Sequence, residues 1–416
     1  MVYLYFGALI FFVFGAKIRA FVTGENPSQT AYSLSMSICD GFSPLPKSSN
    51  FGQKTKKISA PKYIRMKYLL GVTLDTLNTW FQERGQPRFR AGQIFDWLYK
   101  KEISDIMQMS NLSIDLRYAL DKEWKAHGIE LVKIQTSDDQ QTYKFLWQLH
   151  DGKRVESVLI IGENRDTQEA QRRTVCVSSQ VGCPARCAFC ASGREGLLRN
   201  LEPDEIIAQV YEINRWLQKE RGERVSHIVY MGMGEPFRNY EAVLQSIRTM
   251  IAPDMMGISQ RRITVSTVGV VEGIQRLASE DLKVNLVLSL HAPNQKLRQK
   301  IIPYAREYEL QSILEAMYDY AAKTKRDITF EYTLLAGIND APEHAHELVE
   351  LLKNKQCSVN LIPYNPVAGL KLEKPSHEAI RGFRKILDAG NIISTCRYTK
   401  GDDIAAACGQ LALQKS

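Results

Sequence analysis

The sequence predicts an α/β protein: an incomplete barrel of six βα units, preceded by a helical accessory module and a small antiparallel β-meander. Three patterns predict it. After Arg173, strand-like runs alternate with amphipathic stretches at separations of roughly twenty to fifty residues, long enough for the helical crossovers that parallel strands require. Between Ile129 and Ile161 the apolar period drops to two. Between residues 72 and 125 it is helical. Composition agrees. The 416 residues are 44% hydrophobic and 24% charged, which excludes a disordered chain, a collagen-like fibre and a polytopic membrane protein. That length suits one large α/β domain plus an accessory module. Eight cysteines are too few for a disulfide-stapled secreted scaffold. A net charge of +8 suits a polyanionic partner, and equally a mildly basic metabolic enzyme.

Residues 1–65 stand apart. The first 16 are apolar and uncharged, short of a comfortable membrane span. Lys17 and Arg19 follow that run, whereas a secretory signal carries its positive charge ahead of it. Residues 22–62 are rich in Ser, Pro, Gly and Lys and show no period. Met66 lies just before the first well-patterned helix. Three readings stand: a start codon assigned too far upstream, a targeting segment, or a membrane anchor.

The elements then follow in order. Thr73 is an expected N-cap, with Leu74, Leu77 and Phe81 at helical spacing and Gly85 ending the run. A second helix from about Ala91 sets Ile94, Trp97 and Leu98 on one face. Phe95 and Trp97 read as core; the flanking Arg88, Arg90, Lys100 and Lys101 suit phosphate contacts. Tyr143, Phe145 and Trp147 alternate along a strand. Asp151-Gly152 is a hairpin signal before a strand through Val155, Glu156, Ser157 and Val158. The barrel strands are expected at 174–179, 227–232, 263–267, 284–290, 328–334 and 359–363. A helix over 203–219 turns Ile206, Ile207 and Val210 inward. An open doubly wound sheet is the alternative, because spacing does not reveal strand order. Both architectures place chemistry at the carboxyl ends of the strands.

Cys183-Pro184-Ala185-Arg186-Cys187-Ala188-Phe189-Cys190 has the spacing C-x3-C-x2-C. Three thiolates on one short loop can hold three corners of a cubane iron–sulfur cluster, which ordinarily takes four. No fourth cysteine lies nearby, so one iron stays open for a ligand. Structural zinc, the alternative, wants four protein ligands, and no histidine falls at a fitting distance. Met231-Gly232-Met233-Gly234-Glu235-Pro236 follows an expected strand, and its glycines let backbone approach a ligand closely. Ser266 ends the next strand, Ser289-Leu290-His291 the one after, and Asn365 follows the last. Singly each reads as a turn or cap. Together, at successive strand ends, they converge on one mouth.

The cysteine loop, with Phe189 before its last cysteine, resembles the radical S-adenosylmethionine (SAM) signature. The run from Cys176 to Cys183 and the tail Arg397-Tyr398-Thr399-Lys400-Gly401-Asp402-Asp403-Ile404 through Ala407-Cys408-Gly409-Gln410-Leu411 resemble one branch of that superfamily. This branch comprises the dual-specificity adenine carbon-2 methyltransferases of 23S rRNA and tRNA. The likeness runs from about Tyr68 to Leu411. It implies a partial (βα)6 barrel of radical SAM type carrying one 4Fe-4S cluster on Cys183, Cys187 and Cys190. SAM would chelate the open iron, with Gly234, Glu235, Ser266, Ser289, Leu290, His291 and Asn365 contacting it. It further implies Cys408 as methyl carrier, Glu156 as the group that removes the ring proton, and Cys176 as the thiol that resolves the product through a transient disulfide. The divisions that go with this are 1–65 unassigned, 66–128 a helical RNA-binding domain, 129–168 the meander carrying Glu156, 169–402 the radical SAM core, and 403–416 the carrier segment. The targets would be an adenine near the peptidyl-transferase centre and the adenine 3′ of the anticodon. The expected setting is a monomer in the cytoplasm, fed by an electron donor such as flavodoxin or ferredoxin, with no membrane. Adenine carbon 2 lies between two ring nitrogens and is too electron-poor to attack a methyl sulfonium, so a radical route is chemically reasonable. A carbon-8 adenine methyltransferase, a non-catalytic iron–sulfur protein and a zinc-bearing RNA-binding module are the rival readings. Cys39, Cys357 and Cys396 have no motif around them; the last two read as structural.

Overall fold

A computed structural model describes residues 18–23, 31–36, 66–162, 172–397 and 400–412. The chain forms two compact units, Met1–Tyr63 and Ile64–Ser416. In the first, Ile18–Thr23 and Ala31–Met36 pair as antiparallel strands. The features that separate the three readings of residues 1–65, and Cys39, lie outside the described residues.

The second unit is built on a ten-stranded sheet. Its strands are β1 (Ile129–Thr136), β2 (Thr142–Leu149), β3 (Arg154–Ile161), β4 (Arg173–Cys176) and β5 (His227–Tyr230), then β6 (Ile263–Thr267), β7 (Asn285–Ser289), β8 (Ile328–Leu334), β9 (Cys357–Pro363) and β10 (Ile393–Cys396). They lie side by side in chain order. From β4 to β10 all neighbours are parallel; β1 to β4 are antiparallel. A doubly wound sheet reverses its order at a switch point, and this one does not. The doubly wound alternative therefore falls, and the single-wound incomplete barrel stands.

Two features differ from expectation. A seventh parallel strand, β10, closes the series; its Ile393 is 70% exposed at the sheet edge, which leaves the segment without a clear inward pattern. The meander also continues the barrel sheet, because β3 pairs with β4 and Val158 lies opposite Cys176. That register brings Glu156 and Cys176, which belong to separate segments of sequence, to adjoining strands.

Local chemistry explains the helices. α1 (Leu74–Gln82) starts at Thr73, whose side chain accepts from the Thr76 amide; Leu77 and Phe81 are buried, but Leu74 faces outward. α2 (Phe89–Phe95) begins earlier than expected and runs into a wider turn, Asp96–Lys100; Trp97 is only half-buried and Phe95 is buried. α3 spans Ile114–Glu123. α4 (Pro203–Arg221) has Pro at its start, a reciprocal cap between Glu202 and Glu205, and Gly222 in the left-handed conformation at its end. Its Ile206, Ile207 and Val210 are fully buried, contributing roughly 1.5–3 kcal/mol each. The Tyr211 hydroxyl reaches the Leu98 and Ile103 carbonyls, at 2.9 and 2.7 Å, tying the helical module to α4. Between β2 and β3 the Asp151-Gly152 turn forms as expected, with Gly152 at φ +80°. Cys357 is buried at the start of β9 and Cys396 partly buried at the end of β10.

Candidate active site

The cysteine loop leaves the sheet at a pinched neck. Gln180–Gly182 pairs with Leu197–Asn200, and the Cys183 amide donates to the Gly196 carbonyl at 3.0 Å. Gly182 sits at φ +79°, where a Cβ would lie 2.0 Å from that carbonyl oxygen, so only glycine fits. Beyond the neck, the Ala188 amide donates to the carbonyl of Ile301, the last residue of α5 (Gln295–Ile301), and the Ala191 amide donates to the Gly409 carbonyl, both at 2.8 Å.

All three loop thiols are disfavoured as thiolates by burial. Cys183 is pushed up to about 12, and Cys187 well above its usual value by burial and then by the charges of Cys190 and Cys183. Cys190 is raised by burial, partly opposed by hydrogen bonds from Ser192 and Gly193. Such a trio suits a bound cationic centre that takes up the charge and displaces the protons. Among the described residues no three His, Cys, Asp or Glu side chains converge tightly enough for a single metal ion.

The expected mouth forms at the strand ends. Gly234, at φ +113°, passes so close to the neck that a Cβ would meet Ser179 Oγ at 2.7 Å. The Glu235 carboxylate is buried and accepts from the Phe237 amide (3.0 Å), Thr267 Oγ1 (2.9 Å) and the Val268 amide (2.8 Å). It binds the end of β5 to the end of β6, and burial still pushes it up to about 7. Ser266 and Ser289 hydroxyls meet at 3.2 Å across β6 and β7. Leu290 is fully buried, and its amide donates to the Glu331 carbonyl at 3.0 Å. Asn365 is aimed at the carrier segment: its Nδ2 donates to the Cys408 carbonyl at 3.1 Å.

His291 is 4% exposed and adopts φ +56°, unusual for a non-glycine residue. Its Nδ1 accepts from the Thr333 amide at 2.9 Å, which puts the proton of the neutral ring on Nε2. Its ring meets Phe189 of the cysteine loop edge-on, 4.8 Å between centroids. Burial, then the Arg298 charge, pull its pKa down to about 3. Unfolded histidine protonates near 6.5, so this site contributes stability above that pH and loses it as pH falls toward about 3. Denaturant titrations of the wild type and of H291N, which suits the left-handed backbone, should differ in slope by about 1.4 kcal/mol per pH unit between about pH 6 and 4. Parallel slopes would contradict the assignment.

The segment around Cys408 closes over the loop. Ser192 Oγ donates to the Leu411 carbonyl at 2.5 Å, and the Ala412 amide donates to Glu156 Oε2 at 3.0 Å. Glu156 is buried on β3 beside Lys144, with Nζ–Oε1 at 3.3 Å. Cys408 is exposed, yet surrounding protein and the nearby Glu331 charge raise its thiol to about 11. Cys176 is buried and strongly raised, first by burial and then by Cys408. The two thiols therefore lie within electrostatic reach, and both are free in this structure. The structure thus brings together Glu156, Cys176, Cys408 and the loop cysteines.

Arg298 and Glu331 escaped the sequence reading. Arg298 is fully buried on α5 and donates to the Leu290, Val268 and Ser289 carbonyls at 3.2, 2.5 and 3.1 Å, bracing the strand ends near Cys187 and Glu235. Glu331, buried on β8, adjoins both Cys176 and Cys408 and pairs with Arg397 at 3.6 Å. The available signal for Glu331 was a carboxylate inside an otherwise apolar strand.

Comparison with known proteins points the same way. Residues 67–125 match the family described as Ribosomal RNA large subunit methyltransferase N-terminal domain, and residues 177–352 match the Radical SAM superfamily. A probable dual-specificity RNA methyltransferase RlmN 2 from Protochlamydia amoebophila is 63% identical over 336 residues, 81% of this chain and 92% of that protein. A probable dual-specificity RNA methyltransferase RlmN from Gloeobacter violaceus is 44% identical over 349 residues, 82% of this chain and 94% of that one. The crystal structure of a radical SAM methyltransferase from Sphaerobacter thermophilus superposes with a TM-score of 0.79 at 43% identity, covering 83% of this chain and 99% of that one.

Proposed function

Because the chain belongs to the dual-specificity RNA methyltransferase RlmN family of the radical SAM superfamily, we propose an active site in which the three converging segments share one reaction. The protein is a SAM-dependent RNA methyltransferase acting at adenine carbon 2 in ribosomal and transfer RNA. Its cofactors are a 4Fe-4S cluster and SAM.

Cys183, Cys187 and Cys190 would hold the cluster, and SAM would sit in the mouth formed by Gly234, Glu235, Ser266, Ser289, Leu290, His291 and Asn365. When bound, the cluster supplies the electron that splits a SAM sulfonium to a 5′-deoxyadenosyl radical. The chain's own residues do the rest. Cys408, as thiolate, takes a methyl group from a first SAM by polar displacement. Its S-methyl group would then give up a hydrogen atom to that radical, and the carbon left behind bonds to carbon 2 of the adenine. Glu156 takes the ring proton. Cys176 attacks the Cys408 sulfur and breaks its bond to carbon, so that the carbon takes up a proton and the base leaves methylated; the unpaired electron of the adduct would return to the oxidised cluster, and a Cys176–Cys408 disulfide remains, to be reduced before the next cycle. That reduction favours a reducing cytoplasm. Among the described residues no helix is long and apolar enough to cross a membrane.

The observation that carries this reading is the meeting of Glu156 with the carrier segment, through the Ala412 amide, beside the Cys176–Cys408 pair. The same reading extends to the domain scheme. Segment 403–416 carries the methyl group to the 169–402 core, and the 129–168 meander supplies the base. The 66–128 module contacts RNA through exposed Phe89 and Tyr118 and the cations Arg90 and Lys101, the latter 3.4 Å above the Trp97 ring. The enzyme acts as a monomer that accepts electrons from a flavodoxin- or ferredoxin-type donor. E156Q, carrying S-methyl-Cys408 and assayed for a single turnover, should slow product formation by about a hundredfold or more. Turnover at the wild-type rate would remove Glu156 from the chemistry.

A further inference from the structure

Lys144 lies on β2, is 5% exposed, and stands beside a cavity of about 360 Å³ that Glu156 and Ala405 also line. Its ammonium makes two contacts that join distant parts of the chain. Nζ is 3.3 Å from Glu156 Oε1 and donates to the Ala405 carbonyl at 3.2 Å. Ala405 is three residues before Cys408 and holds φ +50°, which L-residues other than Asn or Asp rarely adopt. On the other side of Cys408, Glu156 Oε2 accepts from the Ala412 amide at 3.0 Å. One buried ion pair thus grips the carrier segment on both flanks of its cysteine. Burying an ammonium and a carboxylate is costly unless each finds strong partners, and here part of that partnering is the carrier backbone itself. Neighbouring ties reinforce the same seam: the Asp138 amide donates to Asp403 Oδ2 at 2.7 Å, and Lys400 Nζ to the Ile161 carbonyl at 3.2 Å.

We infer that Lys144 is a positioning residue for the methyl-transfer chemistry, and that its pair with Glu156 forms a polar latch holding the Cys408 segment at the active site. This rests on the carrier role of Cys408, and it gives Glu156 a second task besides taking a proton. The latch accounts for a cysteine that is exposed and yet held in place. It also lets the segment leave and return in one cooperative step, because both flanks release together when the pair parts.

The test is the rate at which iodoacetamide labels individual cysteines of the cluster-loaded enzyme under anaerobic conditions, mapped by mass spectrometry, with Cys396 as internal reference. K144M removes both contacts. K144Q keeps an amide donor for the Ala405 carbonyl without the charge, and carries the test should K144M fail to load its cluster. E156Q keeps an oxygen for the Ala412 amide. Labelling at Cys408 should rise at least about fivefold in K144M and less in K144Q and in E156Q, which loses the charge pair but keeps one flank contact, with Cys396 unchanged. Cys408 labelling within about twofold of wild type in both Lys144 variants overturns the latch, as does an equal rise at Cys396. The two readings separate cleanly. An E156Q enzyme that turns over normally removes the proton-transfer role and leaves the latch standing. An inactive E156Q beside unchanged labelling in the Lys144 variants does the reverse.

Discussion

C408A is expected to lose methyl transfer to RNA by at least about three orders of magnitude while keeping its fold and its iron. The side chain is exposed and lined by Ala406, Ala407 and Gly409, so its truncation opens no core cavity. The anchoring contacts of the segment run through backbone, from Asn365 Nδ2 to the Cys408 carbonyl and from the Ala191 amide to the Gly409 carbonyl. They survive the substitution. What disappears is the sulfur proposed to accept the methyl group. The companion C176A should behave differently: methylated Cys408 reacts with RNA, but no second thiol frees the product. A denaturing gel with labelled tRNA should then show a covalent protein–RNA species, absent in C408A. Free methylated RNA from C176A at the wild-type rate would exclude Cys176 as the resolving thiol.

The second large effect is expected at the loop itself. C187A should leave reconstituted protein with little iron and no visible charge-transfer absorbance, and abolish 5′-deoxyadenosine release. Cys187 feels both other loop thiols, so its loss removes a corner that neither neighbour replaces. Pro184, Ala185, Arg186 and Ala188 offer no alternative thiolate within the loop. Thermal stability should change far less than iron content, because the loop's ties to Gly196, Ile301 and Gly409 are made by backbone amides of other residues. Wild-type iron in C187A would show that the cluster is held elsewhere.

The local features were readable from sequence because their causes are local. Thr73 as a cap, the Asp151-Gly152 turn and the C-x3-C-x2-C loop each follow from a few neighbouring residues. Strand order was not readable, since the pairing of β3 with β4 joins segments whose sequence spacing says nothing of adjacency. That pairing is what places Glu156 near Cys176. Glu156, a lone carboxylate after a hairpin, has the sequence appearance of a solvated face residue; its burial, 1% exposed, comes from the carrier segment folding over it. Lys144 and Arg298 were invisible for the same reason. A lysine or arginine in sequence looks solvent-facing, and only long-range packing shows that both heads are enclosed. Leu74 erred the other way: its helical spacing is right, yet it is 37% exposed at the start of α1.

The most direct measurement is an anaerobic incubation of the reduced, cluster-loaded enzyme with 23S rRNA, tRNA and methyl-labelled SAM, followed by complete digestion and identification of the labelled nucleoside. The account predicts 2-methyladenosine from both RNAs, with two SAM consumed per methyl delivered. Label in 8-methyladenosine, or none in either RNA from protein that cleaves SAM, would contradict it.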